Sequence, residues 1–241
     1  GPRNGTGGPM DGVGTVQATG GVAISVAANN KPLSGGRTLN LGGNSTWSAG
    51  AIQFFDNSVL TNQAGSTFTT SFNGTMSGGS AGGTFNNAGT FTKSAGTLTT
   101  ILVTANNTGT ISVESGTVTL NASGTHSGFF SPGTGATLRF GGGTHILEAG
   151  TSLTGSGTVQ LSTGTLTLNS AVSSASDTAF TLSAGTLNGP GALTLNGPLN
   201  WTGGSMDGVS TVQANGNATF SGGNRNLSGG RTLNLGGSTD W

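Results

Sequence analysis

His126 and His145 each follow a Gly-Thr pair, at a spacing of 19 (145 − 126). Imidazole is a common ligand for zinc and copper, so two rings one turn apart on a repeating chain could begin a metal site. A zinc centre takes three or four protein ligands, often with Cys or a carboxylate among them. The chain has no Cys, and no third ligand is evident near the pair. The expectation is therefore no metal, with each ring at an outward strand position. The Gly-Gly-x-Gly-x-Asp nonapeptide that binds calcium in roll-type toxins is absent.

The acidic residues are Asp11, Asp56, Glu114, Glu148, Asp177, Asp207 and Asp240. Glycoside hydrolysis needs two carboxylates flanking one bond. Glu114 and Glu148 are about one and a half turns apart in a coil of about 20–22 residues, which puts them on different sides. Asp11 and Asp207 both sit in Met-Asp-Gly, where Asp-Gly is a strong turn dipeptide. No catalytic or cofactor-binding residue is assigned. Lys93 and Glu114 fall near each other one turn apart, as a surface pair worth roughly 0–1 kcal/mol. Lys93 also breaks the alternation where Val113 follows one turn on, which marks a corner. Ranked Thr-x-Thr pairs on a flat solenoid face are a device for binding ice. Thr97-Leu98-Thr99 and Thr117-Val118-Thr119 recur at a spacing of 20 (117 − 97), but Arg139 and Gln160 in the following strands would break such a face. Threonine is also simply a good strand residue.

The scaffold that holds these residues is a β repeat. Gly accounts for 48 of 241 residues and only 6% are charged, against about 7% Gly and 25% charge in ordinary domains. Disorder would bring high net charge and few β-branched residues, whereas here the net charge is +0 and Thr, Val, Leu and Phe alternate. Seven Lys and Arg, spread along the chain, give no basic patch for nucleic acid. No apolar run reaches the ~18 residues needed for a membrane span. The absence of Cys excludes a disulfide framework.

Gly-Thr recurs at 143, 150, 157 and 164, a beat of seven, and a short alternating strand follows each, as in Thr165-Leu166-Thr167-Leu168. Period-2 alternation means one buried and one solvated face, and Gly, Asn and Ser clusters supply the corners. Three such sides make a coil of about 20–22 residues. Residues 85–91 align with 105–111 at a spacing of 20 (105 − 85), and Gly164-Thr165-Leu166 with Gly185-Thr186-Leu187 at 21 (185 − 164). The fold class is therefore all-β: a β-solenoid, or parallel β-helix, that is three-sided and free of helix. About eleven coils at ~4.8 Å per strand would make a rod on the order of 50 Å long. Its expected core is Val118, Leu120, Leu138, Phe140, Val159, Leu161, Leu166, Leu168, Leu193, Leu195, Leu233 and Leu235. Asn86 over Asn106 and Asn87 over Asn107 are expected to stack as hydrogen-bonded ladders. Residues 44–80 lose the beat of seven and concentrate Trp47, Phe54, Phe55, Phe68 and Phe72, which calls for wider coils or a bulged corner.

A longer period overlies the short one. Residues 197–209 restate 1–13, and residues 227–237 are identical to 33–43, an offset of about 196 residues slipping to about 194. The chain reads as one continuous solenoid over 1–241, with 1–196 one long unit and 197–241 the start of the next, repeating 1–43. Gly1-Pro2 recurs as Gly197-Pro198 and is read as native sequence.

Trp201-Thr202-Gly203-Gly204-Ser205-Met206, Gly230-Arg231-Thr232-Leu233-Asn234, residues 85–97 and residues 138–145 carry a resemblance. They are similar to the ~200-residue repeats of very large secreted bacterial proteins, β-solenoids in the style of haemagglutinin and autotransporter passengers. Two departures are Gly5, where Trp is expected, and Val103-Thr104-Ala105, where Phe is expected before the second Asn pair. The resemblance implies a bacterial cell-surface or secreted location and carries no catalytic residues.

The leading expectation is a structural segment of a long extracellular fibre, stalk or filament, with other copies of itself as partners through head-to-tail stacking. The alternative is an adhesin or an ice- or glycan-binding module, with surface glycans as partners. A polysaccharide-degrading β-helix enzyme ranks third; an enzyme is not expected. No cofactor, nucleic acid or membrane insertion is expected.

Overall fold

A computed structural model describes residues 3–4, 9–25, 30–79 and 81–241. Gly1, Pro2 and Gly5 lie outside the described residues. Strands and turns make up the described chain, with no helix among the described residues. Among the described residues, thirty-four strands, three to a turn, give a β-solenoid of about eleven turns. The chain divides into two compact units, Gly1–Ala122 and Ser123–Trp241.

In the first unit one side stacks Val22–Ile24, Ser45–Trp47, Thr67–Thr70, Thr90–Lys93 and Thr110–Val113. A second side stacks Lys31–Leu33, Ile52–Phe54, Thr75–Gly78, Leu98–Ile101 and Thr117–Leu120. The third runs from Thr15–Ala18 through Thr38–Leu41, Ser58–Asn62 and Gly83–Asn87 to Thr104–Asn107. All pairings are parallel, so each strand hydrogen-bonds to those one turn before and after it. The second unit has the same plan, exemplified by the side Thr137–Phe140, Thr158–Leu161, Ala179–Leu182, Leu199–Trp201, Ala218–Phe220 and Thr239–Asp240.

Alternation decides what faces inward. In Thr165–Leu168 and Thr158–Leu161 the Leu and Val side chains are buried while Thr and Gln look outward. Leu166 pairs with Leu187, as the sequence echo requires, and Leu168 is fully buried in phase with it. The expected core residues through Leu195 are all buried. Leu233 and Leu235 are not: Leu233 is half-buried and Leu235 is 39% exposed. Their strand, Thr232–Leu235, lies in the last described turn and pairs with Thr211–Ala214.

The turns do widen over residues 44–80. The step from Thr90 to its partner Thr110 is 20 (110 − 90), but that from Thr67 to Thr90 is 23 (90 − 67) and that from Val59 to Thr84 is 25 (84 − 59). A longer perimeter encloses a larger cross-section, and the first unit fills it with aromatic rings: Phe68 is 5.6 Å from Phe91, and Phe85 is 5.4 Å from Phe91.

Candidate functional site

The histidines correct the outward placement expected of them. Both His126 and His145 are fully buried. His145 pairs with Leu166 on the next turn, and His126 pairs with Leu147, so each ring stands in a column of inward leucines. The rings stack at 5.2 Å, with His126 Nε2 3.0 Å from His145 Nδ1, close enough for one hydrogen to bridge them. Phe130 and Phe140 pack at 5.1 and 6.0 Å from His126. Burial, followed by the repulsion of a second charged ring, pushes the His126 pKa down from its ordinary 6.5 to about 3. His126 is therefore neutral at physiological pH. The alignment of Thr144-His145-Ile146-Leu147 on Thr165-Leu166-Thr167-Leu168 held the signal for this inward phase. Among the described residues, no group of three or more His, Cys, Asp or Glu could hold a metal ion.

Lys93 is likewise inside and marks no corner. It occupies the position of Val113 on the next turn, fully buried, and Glu114 is exposed, so the two form no surface pair. Its ammonium donates to Phe72 O at 3.2 Å, Ala95 O at 2.9 Å and Thr99 Oγ1 at 3.1 Å, which accounts for all three protons. Burial pushes its pKa down. Thr97 and Thr117 do not stack as their spacing of 20 suggests: Thr117 pairs with Leu98, and Thr99 faces the core. Inward Ile101, in phase with Thr99, sets this register and turns Leu98 outward.

Asn86 pairs with Asn106 and Asn87 with Asn107. The Asn87 column is internal: Asn62 Nδ2 donates to Asn87 Oδ1, and Asn87 Nδ2 donates to Asn107 Oδ1, each at 2.8 Å. Asn87 Nδ2 also reaches Thr110 O at 2.8 Å. Asn62 extends this ladder by one rung that the echo at 20 did not reveal, because the step between these two turns is 25 (87 − 62). The outer rung joins Asn106 Nδ2 to Asn86 Oδ1 at 3.0 Å.

The carboxylates serve corners. Asp11 Oδ1 accepts from Gly12 N at 2.7 Å and from Ser34 Oγ at 3.0 Å, which holds its pKa below the usual carboxylate value. Asp207 repeats the turn, with Gly208 N at 2.8 Å. Glu148 accepts from Asn169 Nδ2 at 2.8 Å. Arg231, which the sequence reading passed over, is buried and spans three turns: Nε donates to Asp207 O at 2.8 Å, Nη1 to Gly191 O at 3.1 Å and Nη2 to Gly189 O at 2.9 Å.

The last described turn spans residues 225–241. Trp201, Phe220, Leu227, Leu233, Leu235 and Trp241 line a depression of about 700 Å³ there. Trp241 stacks on Phe220 at 4.4 Å with its other face in solvent. No helix of the described chain is long and apolar enough to cross a membrane. Comparison with family models, curated proteins and solved structures returns no match.

Proposed function

We propose that the chain is a structural segment of a long extracellular bacterial fibre, stalk or filament, built by stacking coil upon coil. The observation that carries the reading is the stack itself: three parallel sheets of eleven or twelve strands, with residues 197–241 repeating 1–43. In such a stack every turn is bonded to the next, and head-to-tail addition of like units generates open filaments. Internal ladders, buried aromatic columns and a charged fraction of 6% suit a stiff element indifferent to salt. Sedimentation velocity over a wide concentration range tests it: association should rise with concentration, and a monomer throughout would count against it.

A second reading is favoured by one outward surface in the first unit. Thr67, Thr90 and Thr110 form one register-matched rank, and Thr69, Thr92 and Ser112 a second. Two hydroxyl ranks on one parallel side suit an ice- or glycan-binding module. Thermal hysteresis that Thr92→Lys abolishes would support the ice reading; its absence in the parent chain would remove it.

A further inference from the structure

Two motifs occur in both copies of the long unit. Met206-Asp207-Gly208 restates Met10-Asp11-Gly12, and Leu227-Ser228-Gly229-Gly230-Arg231 restates Leu33-Ser34-Gly35-Gly36-Arg37. In each copy the arginine reaches back one turn to the main chain of the aspartate. Arg37 Nη2 donates to Asp11 O, and Arg231 Nε donates to Asp207 O at 2.8 Å. The separation is 26 residues in the first copy and 24 in the second, so the contact survives a slip of two residues between its parts. Glycine makes room for it. A Cβ on Gly208, at φ +100°, would stand 2.8 Å from Arg231 Nη2 and 2.7 Å from Gly189 O, and one on Gly229 would stand 2.0 Å from Asp207 Oδ1.

In the second copy the contact crosses from one unit to the other. The ladder between adjacent turns runs from Ser205 N to Gly185 O at 2.9 Å and from Asp207 N to Leu187 O at 2.7 Å. With a step of two residues its next acceptor is Gly189 O. There the corner turns away: Gly208 N donates to Asp207 Oδ1 at 2.8 Å, and Val209 is 75% exposed. Arg231 supplies the donors instead, with Nη2 2.9 Å from Gly189 O and Nη1 3.1 Å from Gly191 O. Gly189, Pro190 and Gly191 belong to the unit over 1–196, whereas Asp207 and Arg231 belong to the one that begins at 197. All of these contacts run back to earlier turns. A guanidinium suits the place because it holds its donors in a rigid planar fork, stays charged when buried, and makes bonds stronger than those of a neutral donor.

We infer that Met-Asp-Gly and Leu-Ser-Gly-Gly-Arg together form a docking site by which each unit seats on the one before it, with the two carbonyls of Gly189-Pro190-Gly191 as the receptor. Arg231 is a positioning residue: it sets unit on unit at a Gly-rich corner, where main-chain pairing specifies register weakly. The inference rests on the fibre reading and adds the residues that join its units.

Its test is amide hydrogen exchange, read by mass spectrometry on the full chain and on its variants Arg231→Met and Arg231→Lys. Met keeps an apolar stem and loses every donor; Lys keeps the charge and loses the fork. Arg231→Met should exchange at least about tenfold faster over residues 186–192 and 204–208, as expected for the loss of hydrogen bonds from a charged group. Residues 137–161 should keep the parent's protection. Lys, which reaches one carbonyl at a time, should recover little of the loss. Unchanged exchange over residues 186–192 overturns the docking site. An equal rise over residues 137–161 also overturns it, as general loosening, and so does full rescue by Lys, since charge alone would then suffice. If Arg231→Met does not fold, Arg231→Lys and Gly208→Ala, which presses a methyl against Nη2, carry the same comparison. Sedimentation separates the two readings. A chain that stays monomeric at every concentration, with the expected exchange pattern, removes the fibre and leaves the docking site; association with unchanged exchange does the reverse.

Discussion

The buried histidine pair makes the second unit sensitive to acid by an amount that can be worked out. His126 takes up a proton at about pH 3 in the folded protein, against an ordinary value of 6.5. Below pH 6.5 the unfolded chain binds that proton and the folded chain does not, so acid favours unfolding. The stability is fully present above pH 6.5 and is lost as the pH falls towards 3. Each pH unit is worth about 1.36 kcal/mol for one group, so about 3 kcal/mol is lost between pH 6.5 and 4, and about 4–5 kcal/mol by pH 3. That is a large part of the roughly 5–15 kcal/mol by which domains are stable. The perturbation is the double variant His126→Leu/His145→Leu, which continues the columns of Leu147 and Leu166 already in register with the two rings. Urea unfolding of parent and variant is followed by circular dichroism at pH 7, 5.5 and 4. The carboxylates titrate alike in both proteins, so the difference between the two curves isolates the rings. The parent should lose about 3 kcal/mol more than the variant between pH 7 and 4. Parallel losses would refute the reasoning, because they would mean that His126 is not held neutral by burial.

Two further outcomes follow from the stacking. Asn87→Ala should cost about 2–4 kcal/mol, since it leaves the Asn62 amide and its neighbours buried without their partner, whereas Asn86→Ala on the half-exposed outer rung should cost less than about 1 kcal/mol; urea midpoints distinguish them. Gly109→Ala would press a methyl into Gly89 O, a carbonyl already held by Thr110 N, and should cost more than about 4 kcal/mol. Gly65→Ala has open space at φ +76° and should cost about 1–2 kcal/mol for the left-handed backbone alone, read as the smaller drop in melting temperature.

Much of this molecule was written in local patterns. Gly-Thr steps of seven, period-2 alternation and echoes from one coil to the next determine strands, corners and a three-sided parallel stack, because each is a property of neighbours along the chain or one turn away. They also determine that residues 86–87 lie beside 106–107. Tertiary structure decided the phase of the exceptions. A polar residue in an alternating strand reads as outward when judged by its own chemistry. His126, His145 and Lys93 face inward because the turns on either side hold Leu147, Leu166 and Val113 in that phase, and register outweighs the preference of a single side chain. Only the fold could say that three acceptors converge on the Lys93 ammonium, or that Arg231 reaches back two turns to the carbonyls of Gly191 and Gly189. Burial in a solenoid belongs to the turn that comes next, so a strand's own sequence cannot determine it.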